Sequence, residues 1–301
     1  MSNVSLKEQR YGKNNVRLFK VVRTGKWHEV VELTVCVLLE GDFVTSYTEA
    51  DNSKVVATDS MKNTIYILAK QSPHVQNIEI FATEIGHHFV STYSHVSKAN
   101  VSITKHKWTR MLIDGKLHDH SFYRDGEDTR STKVVVAKTN SKDVSVQIES
   151  GLKNLLVLKT TGSAFYGFLR DKFTTLPETN DRILSTNVDA TWTYNIPSVA
   201  SVKNIPFDDI FDSIRSITLK TFATDNSASV QATLYLMAKL ALEKHSQIET
   251  VHYELPNIHY FEYDLERFDL KNKLKDANIY TPFDKPNGLI IATVSRTKSK
   301  L

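Results

Sequence analysis

Segments with strand-like alternation and segments with helix-like apolar spacing come along this chain in blocks, and the same order of blocks occurs twice. Val16 to Val22, a polar turn at Arg23-Thr24-Gly25-Lys26 and Glu29 to Leu39 read as a long antiparallel hairpin. Two helical patterns follow. One covers about 59–70, with Met61, Ile65 and Leu68 on one face, and one covers about 75–93, with Ile78, Phe81, Ile85 and Phe89 in a stripe. Strands return at 100–113, near Phe122 and at 133–138. The second half starts again with strands at 144–161 and 190–194. Its helices are expected at 207–222, facing with Ile210, Phe211, Ile214 and Ile217, and at 228–245, facing with Leu234, Ala238 and Ala241. Strands then close the copy at 249–255, 259–265 and 288–294. Segregated strand pairs and helix pairs give an α+β fold, an antiparallel sheet with helices on one face. The polar stretch Lys138-Thr139-Asn140-Ser141-Lys142-Asp143 sets the boundary between the copies, so the units are expected at 1–140 and 141–301. Identity between the halves is weak, and the repeat rests on element order.

Composition narrows the chemistry. The 38 Lys+Arg residues against 34 Asp+Glu leave a net charge of +4, too small and too dispersed for a dedicated nucleic-acid binder. One cysteine, Cys36, rules out an intrachain disulfide and Cys-Cys metal knuckles, and fits a reducing compartment. Only 10 of the 301 residues are glycine, and neither a G-x-G-x-x-G turn nor a G-x-x-x-x-G-K-[ST] loop is present. Gly162-Ser163-Ala164 does not form a G-x-S-x-G elbow. The N-terminus has no apolar signal core, and no window approaches the roughly 18 apolar residues of a membrane span. The chain ends Ser299-Lys300-Leu301, a peroxisomal address read by an import receptor, after the polar run Ser295-Arg296-Thr297-Lys298.

Several residues invite a functional reading. The 11 histidines include His87-His88, which on a helix point about 100° apart and cannot face one ion. His118-Asp119-His120 could chelate at a turn but lacks a third ligand, and His28-Glu29-Val30-Val31-Glu32 misses the second His of H-E-x-x-H. Thr58-Asp59 opens the first helix, where Thr58 serves as an N-cap unless its hydroxyl has other work. Ser227 is expected to cap the fourth helix, leaving the backbone N–H groups of Val230 and Gln231 able to meet an anion. In Leu255-Pro256-Asn257-Ile258-His259-Tyr260-Phe261, proline is expected to break the strand, either as a simple kink or so as to aim Asn257 and His259 at a ligand.

Taken together, the chain resembles the urate oxidases (uricases). The resemblance is carried by Tyr11-Gly12-Lys13-Asn14-Asn15-Val16, Thr58-Asp59-Ser60-Met61-Lys62-Asn63-Thr64, Asp119-His120-Ser121-Phe122 and Val157-Leu158-Lys159-Thr160-Thr161-Gly162-Ser163. Gly167 to Leu176, Asp181-Arg182-Ile183-Leu184-Ser185-Thr186, Ser227 to Thr233, Leu255 to Phe261 and Asn287-Gly288-Leu289-Ile290 extend it over nearly the whole chain. It implies a tunnelling fold, with two tandem ββααββ units per chain pairing into a barrel, and two barrels stacking into a homotetramer with sites between subunits. It implies cofactor-free and metal-free oxidation of urate by O2 and water to 5-hydroxyisourate and hydrogen peroxide.

Residue by residue, Phe165 matches the ring that stacks on the purine, and Arg182 and Gln231 match the pair that clamps it. The backbone N–H groups of Val230 and, from another subunit, Asp59 match further ring contacts. Leu176 matches the pocket lining and Asn257 the holder of oxygen or water above the ring. Lys13, Thr58 and His259 match the proton relay. Two other readings stay open: a catalytically silent purine-binding scaffold of the same fold, and a pterin-acting relative that could use zinc.

Overall fold

The computed structural model describes residues 4–139 and 143–297; the Ser299-Lys300-Leu301 ending lies outside that range. The elements run β1 (Tyr11–Thr24), β2 (Trp27–Gly41), α1 (Val44–Thr48), α2 (Thr58–Gln71), α3 (Ile78–Thr92), β3 (Val96–His106), β4 (Thr109–Ile113), β5 (Lys116–Tyr123) and β6 (Thr129–Lys138). They continue with β7 (Val144–Lys159), β8 (Leu184–Tyr194), α4 (Phe207–Thr224), α5 (Val230–Lys244), β9 (Ile248–Glu262), β10 (Tyr280–Phe283) and β11 (Leu289–Ser295). The ββααββ order is present twice, with α1 and the β4–β5 pair added to the first copy and β10 to the second. The chain divides into two compact units, 1–151 with 192–211, and 152–191 with 212–301. Among the described residues, no helix is long and apolar enough to cross a membrane.

In the first unit, β1, β2, β3 and β6 are antiparallel neighbours in that order. The β1–β2 hairpin closes at Gly25-Lys26, where Gly25 takes a left-handed φ of 62° that a side chain would resist. Alternation along β2 buries Val31, Leu33, Val35, Val37 and Leu39 and sends their neighbours to the other face. α2 buries Met61, Ile65 and Ala69, a stripe one residue past the expected Leu68. α3 lies over β3 and β6 and is buried over most of its surface; a Cβ on Gly86 would stand 2.6 Å from Val136 Cγ2, so a glycine there lets helix and sheet approach. An ion pair, Glu79 with Arg130, is buried in this unit. Glu79, in the first turn of α3, accepts from Arg130 Nη2 (2.6 Å) and Ser150 Oγ (2.6 Å), while Arg130 also pairs with Asp208. Tyr194 and Trp192 extend the chain of hydrogen bonds from Ser150.

The expected strand at 100–113 is two strands. The chain leaves the sheet after His106, and β4 and β5 form a separate ladder closed by Asp114-Gly115, both at positive φ. That pair favours the two-residue turn whose twist suits a hairpin.

In the second unit, the latter part of β7, β8 and β9 are neighbours in that order. Ser185 Oγ donates to Val157 O, and Lys153 pairs with Asp189 at 3.0 Å. α5 packs on β9 and β11, setting Leu234, Met237, Ala238 and Ala241 against the face that buries Val251, Tyr253 and Leu255. Pro256 does not break β9, contrary to expectation. β11 pairs β9 from Thr250 to Pro256 and β10 pairs it from His259 to Glu262, so proline falls where one partner strand hands over to the next. The N–H it lacks is little needed there. Asn257 N donates to Gly288 O at 2.7 Å and keeps the strand attached across the junction.

Candidate active site

Asn257 and His259 lie two and four residues beyond Leu255, on the face of β9 that α5 covers. A 15-residue helix spans about 22 Å, roughly seven strand residues. Because α5 returns directly into β9, its cover runs out near Leu255, and the face emerges just past the first turn of the helix. Asn257 and His259 there line a cavity of about 780 Å³, together with Phe165, Leu176, Arg182 and Tyr260.

Phe165 and Arg182 are brought to this cavity by backbone stitching. Phe165 and Thr179 exchange both hydrogen bonds, at 2.8 and 3.0 Å, and Arg182 N donates to Ser163 O at 2.8 Å. The same stretch is tied to the segment ahead of α5: Ser227 N donates to Gly162 O (3.1 Å) and Ala164 N to Ser227 O (3.0 Å). Ser229, not Ser227, caps α5, accepting from Ala232 N at 3.1 Å. Ser227 is occupied otherwise, its hydroxyl held by Lys159 Nζ (2.9 Å) and Thr233 Oγ1 (2.8 Å). The N–H groups of Val230 and Gln231 then open the helix with no carbonyl a turn behind them to accept, a site suited to an anion. These two residues do not line the cavity itself; Ser227 connects them to its wall.

The electrostatics single out Arg182. Its guanidinium lies 5.1 Å from the Phe165 ring centroid, and its Nε is buried with no hydrogen-bond partner. Burial alone lowers its pKa, and no carboxylate is paired with it among the described residues. An unpaired buried N–H on a cation is costly unless a ligand accepts it. Burial, and then the charge of Arg182, push the His259 imidazole below its ordinary value and favour the neutral ring. The ring stacks with Phe261 at 5.7 Å.

Lys13, Thr58 and Asp59 belong to the first unit. Lys13 precedes a bulge at Asn14-Asn15 in β1, where Asn15 adopts φ 55°. The Tyr11 hydroxyl accepts from Val56 N (2.7 Å) and so anchors the chain entering α2 beside β1. Thr58 is not the N-cap. Ala57 holds that position, and the Thr58 hydroxyl has no hydrogen bond to a described residue. The exposed Asp59 carboxyl is held below its usual range by Lys62, with Asn63 and Lys13 adding to the effect.

The expected residues therefore fall into two groups. Phe165, Leu176, Arg182, Asn257 and His259 line one cavity, with Val230 and Gln231 at the adjoining helix start; Lys13, Thr58 and Asp59 share the β1–α2 corner. Sequence reading missed Asp181, whose carboxylate accepts from Thr161 Oγ1 (2.7 Å) and Gly162 N (2.9 Å). An acid directly before Arg182, facing a Thr-Gly turn, was the available signal. His118 and His120 lie on β5 instead of a turn, with rings 4.7 Å apart. Among the described residues, no three His, Cys, Asp or Glu side chains form a group able to hold a metal.

Comparison with known proteins gives a consistent result. A family model described as Uricase matches residues 9–135 and 148–291. A uricase from Aspergillus flavus is 53% identical, covering 99% of each chain. A uricase from Schizosaccharomyces pombe is 43% identical, covering 97% of this chain and 98% of its own. The crystal structure of uricase from Arthrobacter globiformis aligns with a TM-score of 0.89 at 37% identity, over 100% of this chain and 98% of that one.

Proposed function

The chain belongs to the uricase family and is a urate oxidase, and from that premise we propose how its residues divide the work. Arg182 and Gln231 clamp the urate anion. A guanidinium presents parallel donors to a carbonyl and ring nitrogen, and glutamine offers a donor and an acceptor to the neighbouring edge. Phe165 stacks on the ring, Leu176 lines the pocket, and the N–H groups of Val230 and Asp59 contact further ring atoms. Asn257 holds oxygen, and later water, above the ring. Lys13, Thr58 and His259 move the protons.

Urate is electron-rich and anionic, so it can reduce O2 directly once a proton is removed and the two are held together. The balance is urate plus O2 plus water giving 5-hydroxyisourate plus hydrogen peroxide: two electrons leave the purine, O2 accepts them with two protons, and water supplies the hydroxyl. This scheme needs neither organic cofactor nor metal, which agrees with a sequence free of dinucleotide and phosphate-loop motifs. We propose further that the protein works as a homotetramer of tunnelling-fold chains, with Lys13, Thr58 and Asp59 of one protomer completing the cavity of another. In the same reading, Ser299-Lys300-Leu301 directs it to the peroxisome, where its peroxide is contained.

The observation that carries the assignment is the half-buried, unpaired Arg182 beside Phe165 in a cavity that also holds His259. The test is to follow urate absorbance, oxygen uptake and peroxide together in purified protein treated with chelator. Equimolar consumption and production is expected. Binding of urate without oxygen uptake would make the chain a silent scaffold, and dependence on zinc would favour the pterin-acting relative.

A further inference from the structure

Asp181 sits next to the cation that holds the substrate, yet its carboxylate is not spent on that cation. Oδ2 accepts from Thr161 Oγ1 at 2.7 Å and Oδ1 from Gly162 N at 2.9 Å. Its backbone carbonyl accepts from Thr179 Oγ1 at 2.7 Å, and Thr179 is the residue that exchanges both backbone hydrogen bonds with Phe165. On its other side, Arg182 N donates to Ser163 O. One residue is thus bonded to the turn that precedes Phe165, to the ladder partner of Phe165, and covalently to Arg182.

We propose that Asp181 is a positioning residue of the urate clamp, whose carboxylate locks the Thr161–Gly162 turn against Arg182 and fixes the spacing of the Phe165 ring and the guanidinium. The proposal rests on the assignment of Phe165 and Arg182 to urate binding. Geometry supports it, and the electrostatics agrees. Gly162 is at a left-handed φ of 75°, and beside the backbone bond from Ser227 N to Gly162 O the Asp181 carboxylate braces this turn through both of its oxygens. The hydroxyl of Thr161, and then the N–H groups of Gly162, Ser163 and Arg182, hold the Asp181 carboxyl below the usual range, so it stays an acceptor throughout the working pH. A carboxylate filled by its own turn is also one that does not neutralise the neighbouring arginine, which remains free for an anion.

The test compares Asp181→Asn, Asp181→Ala and Thr161→Val with Arg182→Ala in the full-length enzyme. Asp181→Ala should raise KM for urate by about tenfold, the equivalent of one charge-assisted hydrogen bond, while kcat changes much less. Asp181→Asn, which keeps one acceptor oxygen, should fall between it and wild type. The double variant Asp181→Ala/Thr161→Val should be no worse than Asp181→Ala, since both remove the same brace. The dissociation constant of a non-reacting urate analogue should follow KM. A fall in kcat with a shifted pH profile would make Asp181 a proton-transfer group and overturn the proposal. So would a lower melting temperature with KM unchanged, which describes a purely structural role. If Arg182→Ala itself leaves KM unchanged, the clamp assignment fails; if Arg182→Ala raises KM and Asp181→Ala does not, the positioning role alone fails.

Discussion

Replacing Arg182 with alanine separates binding from folding more cleanly than any other change in the cavity. The side chain makes no hydrogen bond to a described residue, and its Nε is buried without a partner. Its guanidinium lies over the Phe165 ring at 5.1 Å, a cation–π pair worth about 0.5–1 kcal/mol. Stability should therefore fall little, and removal of an unpaired buried N–H offsets part of that. Binding should suffer far more. A charge-assisted contact to an anion contributes roughly 1.5–3 kcal/mol, and the paired fork geometry places this one toward the upper end. At 1.36 kcal/mol per decade, KM for urate should rise roughly 10- to 150-fold. Arg182→Lys keeps the charge and loses the fork, so it should lie between. Initial rates over a urate series, with a melting curve of each variant, read both quantities. An unchanged KM, or a collapse in stability with KM intact, would refute the argument from the orphaned guanidinium.

Three further outcomes are expected. Thr58→Ala and Lys13→Met should each lower kcat by about 10²–10⁴-fold, as loss of a general acid–base path does. Because Thr58 is not the cap of α2, Thr58→Ala should move stability by no more than about 0.5 kcal/mol; a large loss in denaturant titration would return Thr58 to a structural role. Glu79→Ala strands the buried Arg130 and should cost roughly 3–5 kcal/mol, read from the unfolding midpoint, whereas a near-neutral result would show that Asp208 suffices as its partner. His259 is held below its ordinary pKa by burial and then by Arg182, both disfavouring the charged ring, so Arg182→Ala should raise its pKa in an NMR titration. A value that stays put or falls would mean the two groups do not interact.

Much of this was legible in the sequence because it is carried by period. The stripes Met61–Ile65 and Ile78–Phe81–Ile85–Phe89 gave α2 and α3 within three residues at either end, and alternation gave the β1–β2 hairpin. Candidate residues that sit on a motif, such as Arg182, Asn257 and His259, proved to share one cavity. Features set by partners far along the chain were not legible. Pro256 looked like a break because the sequence does not reveal that β11 stops and β10 starts at that point. Ser227 looked like a cap because its attachments to Lys159 and Gly162 are tertiary. Ala57 displaced Thr58 from the cap position although threonine has the better capping side chain; with its hydroxyl unengaged, Thr58 gains little from helix capping and is left available. The Asp114-Gly115 hairpin, by contrast, had a plain local signal that the apolar run around it concealed.

In the proposed homotetramer one site is assembled from Lys13 and Thr58 of one protomer and Arg182 of another, and complementation measures that directly. Purified Thr58→Ala and Arg182→Ala proteins are mixed in equal amounts under conditions shown by mass to exchange subunits, and assayed at urate far below the KM of the Arg182→Ala protein, where each alone turns over little. Random pairing across a twofold interface leaves roughly a quarter of the sites with both intact residues, so about a quarter of wild-type turnover should return. Confirmed exchange with no recovery of urate oxidation would contradict the shared site.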